Sequence, residues 1–90
     1  MIRAEITISG IVQGVGFRYF VMQKAKIYGI KGFVKNLGNG KVYCEAESKK
    51  NILHDFIKEL HIGPPMSRVT DVRVYEFYEL KNYKKFEVRY

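Results

Sequence analysis

The 90-residue chain has one cysteine, one adjacent pair of prolines, and no apolar run near the ~20 residues that a membrane-spanning helix requires. A lone Cys44 allows no internal disulfide, and a small domain without covalent staples points to a reducing compartment. The opening residues MIRAEITISG alternate apolar and polar positions instead of presenting the apolar stretch of a signal peptide, so cytoplasmic residence is the expectation and no membrane partner is expected. Internal repeats and low-complexity segments are absent as well. Charge is unbalanced but not gathered. Sixteen Lys and Arg against nine Asp and Glu give +7, spread from Lys24 and Lys31 to Lys84 with only short pairs such as Lys49-Lys50. That distribution excludes a polybasic tail and reads mostly as solvated surface. The surplus favours an anionic partner without choosing among nucleic acid, membrane and small phosphorylated or carboxylated molecules.

What is present describes one globular domain over residues 1–90, with 47% hydrophobic and 14% aromatic residues, far from the signature of disorder. Ile2, Ala4, Ile6 and Ile8 alternate with Arg3, Glu5 and Thr7, the period of a strand with one buried face. Phe17, Phe20, Val21, Ala25 and Tyr28 recur at helical spacing, and Gly29 stands where a left-handed C-cap would end the helix. Ile30–Asn36 and Lys41–Glu47 form a hairpin about the Asn39-Gly40 turn signal. Ser48 fits as N-cap of a second helix carrying Leu53, Phe56, Ile57 and Leu60, which Gly63 and Pro64-Pro65 end. Val69–Tyr78 and Phe86–Tyr90 close the chain as strands. The order βαββαβ with a short extra C-terminal strand predicts a ferredoxin-like α/β sandwich: an antiparallel sheet with both helices on one face.

Between the first strand and first helix lies GIVQGVGFR, Gly10 to Arg18. Three glycines allow successive backbone N–H groups to curl inward at a helix N-terminus, where the dipole is positive, and Arg18 adds a fork that matches phosphate oxygens. The loop is therefore a candidate phosphate cradle. It lacks the Gly-Lys-Ser/Thr of a Walker A loop, since the helix start reads Gly16-Phe17-Arg18. It also lacks a thiolate six residues before the arginine, where Val12 stands. A cradle without a nucleophile suggests direct attack by water. A right-handed β-α-β crossover leaves its two strands parallel, so Arg18 and Asn36 face one edge of the sheet.

GIVQGVGFR followed by GFVKNLGNGKV resembles the acylphosphatase family, and the likeness extends over nearly the whole chain. The resemblance implies hydrolysis of the carboxyl-phosphate bond of a small acyl phosphate, with no metal and no cofactor. It implies that Gln13, Gly14, Val15, Gly16, Phe17 and Arg18 bind the phosphoryl group, that Arg18 is the essential cation, and that Asn36 positions the attacking water. Inorganic phosphate or sulfate would bind as product-like ligands, and the chain would act as a monomer. After Asn36 some members carry a hydroxyl, whereas this chain has Leu37. From its residue type alone, Gln13 reads equally as a phosphate ligand or as a partner of loop backbone.

Other features read more plainly. His54 and His61 lie seven apart without a third residue at metal-ligand spacing, so they are surface histidines. Cys44 shares the inward face of Val42 and Ala46 and is a small core residue. KGFVKN resembles the start of an RNA-recognition motif, but the later aromatics are missing and the segment falls on strand two, so no nucleic acid is expected. A noncatalytic regulatory domain on this fold would not require Arg18 and Asn36 together.

Overall fold

The computed structural model describes all 90 residues. The elements are β1 (Ile2–Ile11), α1 (Phe17–Tyr28), β2 (Lys31–Asn36), β3 (Val42–Ser48), α2 (Lys50–Ile62), β4 (Arg68–Phe77) and β5 (Phe86–Arg89). Alternation places Ile2, Ala4, Ile6 and Ile8 of β1 beside Val34 of β2 and Val42, Cys44 and Ala46 of β3 on a single buried face. The helices cover that face. Phe17, Val21 and Ala25 are the buried stripe of α1, which lies over β2 and β5; Leu53, Phe56, Ile57 and Leu60 are that of α2, which lies over β4, β1 and β3.

The sheet runs β4-β1-β3-β2-β5. Three ladders are antiparallel, as the sequence predicts, but β5 pairs parallel to β2, with Val88 opposite Val34, so the sheet is mixed. The reason is the crossing from β4 at one edge to β5 at the other. Residues 78–85 traverse the face that the helices leave open. There Glu79 O accepts from Arg3 Nε, Tyr83 Oη donates to Glu45, and the Lys81 and Tyr83 amides donate to Glu47. This cover buries Arg3, Glu45 and Glu47, which strand alternation alone would leave in solvent.

Two further details differ from expectation. Ser48 is not the cap of α2: it pairs with Ile2 as the last residue of β3, and Lys49 occupies the cap position without a side-chain hydrogen bond. The β1 strand also runs three residues past Ile8 to Ile11, its pairing with β4 passing an irregularity between Ser9 and Gly10. Gly29 does close α1 in the left-handed conformation, its amide bonding the last carbonyls.

Both β1 and β2 are antiparallel to β3, and β5 is parallel to β2, so the C-terminal ends of β1, β2 and β5 share one edge. At that edge α1 begins and α2 ends.

Candidate active site

The loop leaving β1 is fastened at both ends by core residues. Val12 is fully buried at its start and Phe17 at its end, while Gly14 and Gly16 are exposed between them and Val15 packs partly against the core. Gly14 and Gly16 have φ of 75° and 78°, the left-handed region that other residues enter only with strain. Their alternation with ordinary residues turns consecutive amides toward one point. None of the amides from Gln13 to Arg18 donates a hydrogen bond within the chain. No side chain caps α1, and its first turn carries no acidic residue. The cradle therefore presents free donors at the positive end of a helix, and a tetrahedral anion can take several at once.

Arg18 stands in the first turn of α1, half-buried. It forms no ion pair with any carboxylate of the chain. Its one close partner is aromatic: Cζ lies 4.7 Å from the centroid of the Tyr90 ring. The ring is itself exposed, and it sits beside the guanidinium without consuming its N–H donors or cancelling its charge, as a carboxylate would. The residue just beyond β5 thus reaches the same edge as Arg18 and Asn36. Sequence reasoning missed Tyr90, because only the parallel pairing of β5 with β2 carries it there.

Asn36 closes β2. Its side-chain oxygen is buried and finds no donor in the chain, the only buried side-chain polar atom of which this is true. A buried acceptor left alone costs about 1–3 kcal/mol, so its persistence at this edge points to a donor from outside the protein. Water can supply one, whereas a phosphoryl oxygen cannot.

The two halves of the site are tied together by Gln13. Its side-chain amide nitrogen donates to Leu37 O at 2.7 Å and to Lys41 O at 2.9 Å, the carbonyls that bracket the hairpin turn after Asn36. Across the same turn, the Leu37 amide donates to Lys41 O at 2.8 Å. Both amide hydrogens of Gln13 are engaged, so its side chain serves the hairpin and only its backbone N–H remains for the cradle. Leu37, the residue after Asn36, joins this turn through its backbone N–H and C=O alone.

These features coincide with a family profile: that of the acylphosphatases matches residues 4–88. The chain belongs to the acylphosphatase family. An acylphosphatase of Archaeoglobus fulgidus is 48% identical over 90 residues, covering 100% of both chains. One from Thermotoga maritima is 44% identical over 86 residues, covering 96% of this chain and 94% of its own. The crystal structure of the Bacillus subtilis acylphosphatase superposes with a TM-score of 0.98 at 40% identity, covering 100% of each chain.

The remaining candidates fall away from this acylphosphatase edge. His54 is exposed on α2 and bonds Glu76 at 2.6 Å, and His61 is also exposed. Cys44 is enclosed in the core, where burial pushes its thiol well above the usual range and leaves it inert. Phe33, the aromatic of KGFVKN, is buried, with the Arg89 guanidinium 3.9 Å from its centroid and Tyr83 against its edge, so it offers no surface for stacking a base. A hollow lined by Ile2, Lys50, Glu76, Phe77 and Tyr78 lies at the opposite edge, with no part of the cradle in it. No helix is long and apolar enough to cross a membrane.

Proposed function

We propose that the chain hydrolyses acyl phosphates by direct in-line attack of water, without a metal ion. The amides of Gln13, Gly14, Val15, Gly16, Phe17 and Arg18 hold the phosphoryl oxygens with the Arg18 guanidinium, and Asn36 holds the water. The observation that carries this reading is the lone buried oxygen of Asn36 at the edge where the cradle's donors stand free.

The chemistry asks little else of the protein. The water oxygen bonds to phosphorus as the bond from phosphorus to the acyl oxygen breaks. The electron pair stays on the acyl oxygen, which departs as a carboxylate. One water proton remains on the new P–OH and the other passes to a phosphoryl oxygen, giving dihydrogen phosphate. A carboxylate is a weak base and needs no general acid, so positioning and charge stabilisation suffice. Asn36 is neutral; it orients the water and does not take its proton. Arg18 and the amide nest meet the charge on the equatorial oxygens, and the Tyr90 ring beside the cation takes none of its N–H donors.

Steady-state hydrolysis of benzoyl phosphate tests this. Turnover is expected to persist unchanged in EDTA, and inorganic phosphate or sulfate to compete with substrate. Loss of turnover in chelator with recovery on Mg²⁺ would overturn the metal-free mechanism, and purely noncompetitive phosphate inhibition would remove the cradle from substrate binding.

A further inference from the structure

In-line displacement constrains the side of phosphorus from which the acyl group leaves. Attack and departure lie opposite one another, and Asn36 fixes the attacking side at the end of β2. Departure is then away from β2, toward β1 and β4. We propose that the acyl group of the substrate rests there against Ile11 and Met66, and that these two side chains select substrates with apolar acyl groups. The inference rests on the acyl phosphate reading above and names the substrate class within it.

Ile11 is the last residue of β1, immediately before the cradle, and is 60% exposed. Its cross-strand partner is Arg68, the first residue of β4. Met66, 78% exposed, stands two residues before that partner in the turn from α2. The turn is closed, with the Ser67 amide and hydroxyl both donating to Pro64 O, at 2.9 and 2.7 Å. It is also seated against the start of α1, since a Cβ at Gly63 would stand 2.9 Å from the Phe17 ring. Met66 is thereby held at the same edge as the cradle, on the flank away from Asn36.

A single exposed apolar side chain is ordinary on a protein surface. Here two come from separate elements to one flank of a polar, cationic cradle, and the opposite flank carries Asn36, Arg18 and Tyr90. Binding of the phosphoryl group already fixes the substrate, so an acyl group swinging to the β1–β4 flank removes apolar area from water on Ile11 and Met66 at little further entropic cost. A methyl group has little apolar area to cover them with, and an aryl ring has far more.

The test compares kcat/KM for benzoyl phosphate and acetyl phosphate in the parent, in an Ile11→Ser/Met66→Ser double variant and in Ile27→Ser. Ile27 is equally exposed but lies near the far end of α1. The double variant is expected to lower the benzoyl-to-acetyl ratio about tenfold, on the scale of losing one or two apolar contacts at a binding surface. Its inhibition constant for inorganic phosphate should equal the parent's, and Ile27→Ser should leave the ratio alone. Met66→Ser alone, in an exposed turn where folding is not at risk, should move the ratio about threefold in the same direction. An unchanged ratio, or an equal fall for both substrates, overturns the acyl assignment. If the parent hydrolyses neither substrate, the acyl phosphate reading itself fails, an outcome separate from a failed ratio.

Discussion

Replacing Arg18 by alanine is expected to remove nearly all turnover and almost none of the fold. The guanidinium has no carboxylate partner in the free protein, so its whole fork is available to the phosphoryl group and no competing ion pair is released on binding. A hydrogen bond from a charged donor contributes about 1.5–3 kcal/mol, and a two-pronged contact therefore about 3–6 kcal/mol. At about 1.4 kcal/mol per factor of ten, kcat/KM for benzoyl phosphate should fall by about 10²- to 10⁴-fold. The structural loss is smaller. The cation over the exposed Tyr90 ring is worth about 0.5–1 kcal/mol, partly offset because alanine is the better helix former. Thermal unfolding should move by no more than about 4–8 °C in a domain of this size. Arg18→Lys keeps the charge and loses the planar fork, so it should recover only a minor part of the rate. The assay is kcat/KM, phosphate binding by calorimetry and thermal unfolding on the same two variants. A folded Arg18→Ala protein within about tenfold of parental kcat/KM would refute the argument and leave the glycine loop as a turn.

Asn36→Ala should lower kcat by about 10²-fold while phosphate affinity stays near the parent's; a proportional loss of phosphate binding would make Asn36 a ligand instead of a water holder. Gln13→Ala breaks both bonds to the hairpin and should lower the melting temperature and kcat together, whereas a destabilised variant with parental kcat would show that the tie does not position the site. Tyr90→Phe keeps the ring over Arg18 and should behave as the parent; Tyr90→Ala should weaken phosphate binding severalfold in calorimetry, and equal binding in the two would assign the ring no part. Glu45 governs acid stability. Burial disfavours its charge, but hydrogen bonds from Tyr83, Tyr43 and Lys81 outweigh that and hold its pKa below the ordinary value. Its contribution is therefore complete above the unfolded pKa of about 4.3 and is lost as pH falls through the depressed native value. Melting temperature should drop more steeply below that point in the parent than in Glu45→Gln, and parallel curves would exclude Glu45.

Local periodicity made the helices and the first three strands legible, because each buries a stripe whose spacing is set by backbone geometry. The juxtaposition of Asn36 with the cradle was equally legible, since crossover handedness brings the ends of β1 and β2 to one edge. Three features were not. The Gln13 side chain lies between two chemically sensible uses, and only the distance to Leu37 O and Lys41 O decides which one occupies it. Tyr90 depends on the direction of β5, a long-range property that a four-residue strand does not encode. Arg3, Glu45 and Glu47 read as solvated positions of alternating strands, and the burial they experience comes from residues 78–85, which look like an ordinary polar loop until they are seen to cross the sheet.

In the order β4-β1-β3-β2-β5, the hairpin of β2 and β3 is the one pair of neighbours consecutive along the chain. Every other ladder joins distant segments: Arg3 meets Phe77, and Gly32 meets Phe86. Ordering such pairs costs chain entropy before contacts repay it, and topologies of this kind fold in about milliseconds to seconds instead of microseconds. Tyr90, whose ring lies beside Arg18, follows β5, the fifth of these strands in chain order, so a refolding molecule that has formed β1, α1 and the hairpin still lacks the ring over the guanidinium. Recovery of phosphate affinity during refolding would then trail recovery of helical signal and report the docking of β5.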